Sequence, residues 1–100
     1  MTNLCVVMGE VTSEPELRSS EEKKEPHSVV FNLSLSIQQT TFGWIKVLCY
    51  PGTAELAARE VHKGMKVLAV GYLIRGSLQV KDNTWWSEVI LVPDTLEVIK

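Results

Sequence analysis

Between Val29 and Gln38 the sequence VVFNLSLSIQ alternates without a break. Val29, Phe31, Leu33, Leu35 and Ile37 fall on one parity, and Val30, Asn32, Ser34, Ser36 and Gln38 on the other. A side-chain period of two belongs to a β-strand, so this run predicts a strand with one buried face and one largely wet face.

Other strands follow from shorter signals. Asn3 to Val11 (NLCVVMGEV) predicts a first strand, with Gly9 at a bulge or sharp bend. Trp44 to Tyr50 (WIKVLCY) predicts a third. On it Ile45, Val47 and Cys49 share one face, while Trp44, Lys46, Leu48 and Tyr50 share the other. Pro51-Gly52 stops that strand. Thr53 is placed to cap a helix over Ala54 to Val61, and Gly64 to end it. Lys66 to Ile74 (KVLAVGYLI) predicts a fourth strand, apolar on both faces. Leu78 to Leu91 reads as a hairpin turning at Lys81-Asp82-Asn83-Thr84, and Thr95 to Ile99 is a short apolar ending. The connection that starts at Glu14-Pro15-Glu16-Leu17-Arg18 continues through SSEEKKEPH, which has no apolar side chain. An exposed loop over about 19–28 is expected.

This order predicts an all-β, five-stranded Greek-key barrel with one helix between strands 3 and 4. Mid-strand Gly9 and Gly71 supply its bends. Its interior would hold Val29, Phe31, Leu33, Leu35, Ile45, Val47, Val67, Ala69 and Leu73. One hundred residues form a single domain, 1–100. With 45% hydrophobic and 22% charged residues the chain falls outside the disordered class. The N-terminus lacks the pattern of a signal peptide, and no apolar run is long enough to span a membrane. A cytoplasmic or organelle-matrix location is expected, with no membrane partner.

Chemistry beyond binding finds little support. Cys5 and Cys49 sit in apolar runs and read as buried free thiols. No Cys/His spacing suggests a metal, no glycine loop suggests a phosphate cradle, and no nucleophile stands with a base. No enzyme activity and no cofactor are expected. The net charge of −2 is unevenly spread. From Gly43 to Lys81 six bases face two acids, and the flanking thirds are acidic. An anionic partner would therefore be sought in the middle third.

Taken in order, the segments Asn3–Val11, Glu14-Pro-Glu-Leu-Arg, Val29–Ser36, Trp44–Tyr50, Thr53-Ala-Glu-Leu-Ala and Val61-His-Lys-Gly-Met-Lys-Val-Leu-Ala-Val-Gly-Tyr-Leu resemble a known family. It is the oligonucleotide/oligosaccharide-binding (OB) fold domain of bacterial-type single-stranded DNA-binding proteins, and the resemblance runs over nearly the whole chain. It implies binding of single-stranded DNA with little sequence preference, in support of replication, repair and recombination. By position, Trp44 and Tyr50 match stacking aromatics, and Lys46 lies between them where the family often has a base. An exposed ring stacks on any base, at about 1–3 kcal/mol each, without reading sequence. Lys63, Lys66, Arg75 and Lys81 are candidates to follow the phosphates. Trp85 and Trp86 must point to opposite faces, so one functional ring at most is expected there, with Trp86 carried as the candidate. Packing and plain solvation are the competing readings for all of these residues.

The chain also departs from the family. Leu78 stands where the family has a loop aromatic, and Phe42 is the nearest aromatic in the second-to-third-strand connection. The sequence stops at Lys100 without the family's flexible extension and acidic tip, so recruitment of replication proteins through that tip is not expected. The short primosomal replication protein related to the family also lacks it. The alternative is therefore a protein-interaction module with weak or lost DNA binding. The outward stripe Leu68, Val70, Tyr72 and Ile74 would leave a monomer with exposed apolar surface, so a homo-oligomer, dimer or tetramer, is expected.

Overall fold

The computed structural model describes residues 3–18, 28–37, 40–80 and 84–99. Its elements are β1 (Cys5–Glu10), β2 (Glu16–Arg18), β3 (Ser28–Ile37), β4 (Thr40–Cys49), α1 (Ala54–Glu60), β5 (Lys66–Val80) and β6 (Thr84–Ile99). All six strands join one sheet in the order β1-β5-β6-β4-β3-β2. Neighbours are antiparallel except β4 and β6, which run parallel. A single bridge from Val11 to Leu33, with the Thr12 amide donating to the Asn32 carbonyl, brings the end of β1 against β3. The sheet thus curls around its apolar face without a continuous closing ladder.

That face is the alternation of β3 read in three dimensions. Val29, Phe31 and Leu33 are fully buried, together with Val47 and Cys49 of β4, Val67 and Ala69 of β5, and Leu91 of β6. Ile45 and Leu73 pack against this cluster and stay partly exposed. Leu35, expected inside, is only half-buried, because it lies where the β3–β4 register slips between Leu35 and Ser36. Helix α1 adds Ala54 and Ala57, and Val61 follows its end. Each large apolar side chain buried here contributes roughly 1.5–3 kcal/mol relative to exposure.

The expected five strands become six. Glu16–Arg18, read from sequence as a polar connection, pairs with Val30–Ser28 as a short edge strand. Its polar composition suits a strand that borders solvent, which is why it carries no apolar signal. The helix consequently lies between β4 and β5. The fourth strand and the hairpin arm after it form one 15-residue strand, and the hairpin's second arm and the apolar ending form one 16-residue strand. Ser28 begins β3 and is buried, so the expected loop does not reach it; the rest of that loop, 19–27, lies outside the described residues. Among the described residues no helix is long and apolar enough to cross a membrane.

Local devices also differ from expectation. Thr53 makes no side-chain cap; the Glu55 carboxylate instead accepts from the Gly52 amide at 2.7 Å. Gly64, at φ +95°, does not cap the helix, which ends at Glu60. It turns the chain into β5, and its amide donates to the Val11 carbonyl at 2.8 Å. Gly9 produces no bulge. It lets β1 approach β3, since a Cβ there would collide with the Ser34 carbonyl oxygen. At Gly71, where a bend was expected, the β5–β6 register slips, pairing Val70 with Thr95 but Gly71 with Pro93, so Asp94 is the extra residue. Pro93 has no amide proton to give, and Gly71 has no Cβ to obstruct the inward step of the β6 backbone.

A Cβ at Gly71 would strike the Val92 carbonyl and lie 2.6 Å from the Pro93 Cα. Gly71→Ala should therefore lower stability in urea unfolding by about 1–3 kcal/mol. Val89→Ala, at an exposed position, should change it by less than about 0.5 kcal/mol. Burial raises the Cys49 thiol from 9.0 to about 11, against a smaller opposing hydrogen bond from Thr53. The unfolded chain then loses this proton first, so the contribution is complete below pH 9 and disappears as pH rises towards 11. Unfolding free energy should fall across that window by about 2–3 kcal/mol more in the native chain than in Cys49→Ala; parallel curves would contradict this.

Candidate nucleic-acid interface

Strand β4 is paired on both sides, which assigns its side chains to two faces. Val47 and Cys49 point into the core, with Ile45 at its margin. Trp44, Lys46, Leu48 and Tyr50 consequently point outward. Trp44 is 58% exposed and Tyr50 45%, while Lys46 and Leu48 are half-buried. Across β3 the same face continues through Ser34, Asn32 and Val30, which stand opposite Trp44, Lys46 and Leu48. Across β6 it continues through Ile90, opposite Lys46, and then to Ile74 of β5. Val92 and Tyr72 form the next cross-strand pair on this face. Three partly exposed rings, Trp44, Tyr50 and Tyr72, therefore belong to one curved surface.

Tyr50 is held by its own backbone. Its carbonyl accepts from the Thr53 amide at 3.2 Å and the Ala54 amide at 2.9 Å. Gly52 takes the positive φ of +117° that the turn requires. The backbone amides of Glu55 itself and of Gly52 hold the Glu55 carboxyl below its usual range. The start of α1 thus fixes the backbone of the residue that carries this ring.

Two clefts flank the face. One, of about 310 Å³, is lined by Ser13, Glu14, Glu16, Val30, Phe31, Asn32 and Lys46. The Asn32 Oδ1 is buried there and accepts no hydrogen bond among the described residues. Glu14 also receives the Lys63 amide at 3.2 Å and stands 3.8 Å from the His62 imidazole, which ties the β1–β2 connection to the turn after α1. The other cleft, of about 400 Å³, is lined by Tyr50, Pro51, Gly52, Thr53, Tyr72, Val92, Pro93 and Asp94.

The residues expected to meet nucleic acid are not all gathered here. Trp44, Lys46 and Tyr50 share the surface as expected. Lys66 has the outward parity but starts β5, beside Glu10 and Ile99. Six residues separate it from Tyr72, roughly 20 Å along the strand. Arg75 is exposed but has the opposite parity to Tyr72 and Ile74. Lys63 is exposed in the turn beyond α1. Lys81 and the side chains of Trp85, Trp86, Phe42 and Leu78 lie outside the described residues; in the backbone, Trp86 stands opposite Leu78. The residue that sequence reasoning assigned elsewhere is Tyr72. Its outward parity was visible, but its approach to Tyr50 depends on β6 lying between β4 and β5, which no local pattern encodes.

The same architecture occurs in solved structures. A Plasmodium falciparum single-stranded DNA-binding protein, in complex with single-stranded DNA, superimposes with a TM-score of 0.80 over 100% of this chain and 97% of that one, at 15% identity. The mitochondrial single-stranded DNA-binding protein of S. cerevisiae gives 0.75 over 100% and 98%, at 15% identity. A small single-stranded DNA-binding protein from Streptomyces coelicolor gives 0.75 over 99% and 96%, at 16% identity. The chain therefore has the OB fold of these proteins. No protein-family model matches it, and no curated protein matches it in sequence.

Proposed function

We propose that residues 1–100 act as one OB-fold unit that binds single-stranded DNA on the outer face of β4 without catalysing a reaction. One observation carries this reading: Trp44 on β4 and Tyr50 just beyond its end are both exposed, with Lys46 between them where the strand is paired on both sides. Rings left this exposed bury only part of their apolar surface in the fold, whereas a nucleobase gains by stacking on them. The full-length likeness to single-stranded DNA-binding proteins, one of them in complex with single-stranded DNA, supports it. Participation in replication, repair or recombination, in a cytoplasm or organelle matrix, is the corresponding biological role.

The site works mainly by stacking. The chain has a net charge of −2, and Glu14 and Glu16 line the cleft that holds Lys46. Electrostatic attraction is therefore modest, and sequence preference on the open face is weak. These same carboxylates favour the second reading, an interaction module that binds protein in place of DNA.

A homo-oligomer belongs to the proposal. Strand β1 is an edge of the sheet, and Leu4 just before it and Val6 and Met8 on it are 72%, 60% and 58% exposed. Val70 and Leu68 stand across from Val6 and Met8 and extend the apolar strip. A second copy pairing along this edge would satisfy the open backbone groups and cover the strip together.

Titration with oligo(dT) at low salt should quench tryptophan fluorescence. Trp44→Ala should weaken binding about tenfold or more while leaving unfolding unchanged. Lys46→Ala should reduce the slope of log affinity against log salt by about 0.7. Absence of binding by the folded chain would favour the protein-interaction reading. In sedimentation the native chain should exceed monomer mass at micromolar concentration, and Val6→Glu should shift it towards monomer. A native monomer would contradict the edge-pairing account.

A further inference from the structure

The cleft beside Tyr50 is unlike the rest of the face. Two tyrosines border it, Tyr50 just after β4 and Tyr72 in β5, and a carboxylate, Asp94, also lines it. Asp94 is there because of the β6 bulge, where it is the extra residue between Pro93 and Thr95. Bulges redirect side chains, and this one occurs where Gly71 admits the β6 backbone and the following residue is Tyr72. Without it the β6 ladder would continue in regular alternation past the cleft.

We infer that this cleft is a nucleobase subsite in which Tyr50 and Tyr72 provide stacking surface and Asp94 selects an amine-bearing base over thymine. The inference rests on the single-strand reading above and adds a base preference to it. An ionised carboxylate only accepts hydrogen bonds. It repels a phosphate, so the part of a strand suited to this cleft is a base. Cytosine presents the N4 amine, which donates to a carboxylate oxygen. Thymine presents the O4 carbonyl at the same ring position, placing acceptor against acceptor. Both are pyrimidines of similar size, so the comparison isolates that one group. The volume of about 400 Å³ lies within the roughly 300–1,000 Å³ of small-ligand sites. The Thr53 and Ala54 amides fix the Tyr50 backbone at the edge of the cleft.

The test compares affinities of the full chain for oligo(dC) and oligo(dT) of equal length, at one salt concentration and slightly alkaline pH. Asp94→Asn removes an exposed charge, and its amide can also donate to O4. The preference for dC over dT should therefore fall about 3- to 10-fold relative to the native chain. Tyr72→Leu should weaken both strands and lower the preference as well. Equal strengthening of both strands in Asp94→Asn would show repulsion alone and overturn the inference. An unchanged ratio with a changed oligomeric state would assign the cleft to a subunit contact and overturn it too. A preference that survives Tyr72→Leu would overturn the location. Failure of the folded native chain to bind either strand would remove the single-strand reading and this inference together, whereas binding with an unaltered ratio in Asp94→Asn removes only the inference.

Discussion

Strand β4 is held between β3 and β6, and that double pairing decides which way each of its side chains points. A slip of one residue would bring Trp44, Lys46 and Tyr50 into the core and expose Val47 and Cys49. The loss of buried apolar area and the burial of a lysine would both oppose it. Core and candidate interface are thus two consequences of one register. The side chains that fix it are the buried Phe31 and Leu33 on one neighbour and Leu91 on the other.

The same register carries the surface beyond β4. Because β6 lies between β4 and β5, Val92 stands between the Leu48–Tyr50 end of β4 and Tyr72. The Gly71–Pro93 irregularity then lets β6 step inward and places Asp94 at the cleft without disturbing the core ladder, where Leu73 still pairs with Leu91 and Ala69 with Leu96. A residue without a Cβ and a residue without an amide proton produce one shaped end of an otherwise regular face.

Much of this was legible in the sequence where the signal was periodic. The alternation of β3 gave its buried face, and WIKVLCY divided into Ile45, Val47 and Cys49 inside and Trp44, Lys46 and Tyr50 outside, as the structure has it. Signals that depend on distant contacts were not legible. Glu16–Arg18 is a strand only because Val30–Ser28 offers it an edge. Gly9 reads as a bend but is required by the Ser34 carbonyl, 25 positions away in the chain. Gly64 reads as a helix cap but serves the Val11 carbonyl. Tyr72 reads as part of an oligomer stripe, and only the strand order brings it to Tyr50. Asp94 carried no signal, since a bulge is a property of two strands.

One surface receives the strand in this arrangement, and amide chemical-shift mapping by NMR reads that surface directly. On adding a short oligonucleotide, the perturbed amides should cluster at Trp44, Lys46, Tyr50 and Tyr72 on the outer face of β4 and β5, with the β1 edge at Val6 and Met8 unaffected at constant oligomeric state. Perturbations confined to the β1 edge, or to the turn around His62 and Gly64, with Trp44 and Tyr50 silent, would contradict it.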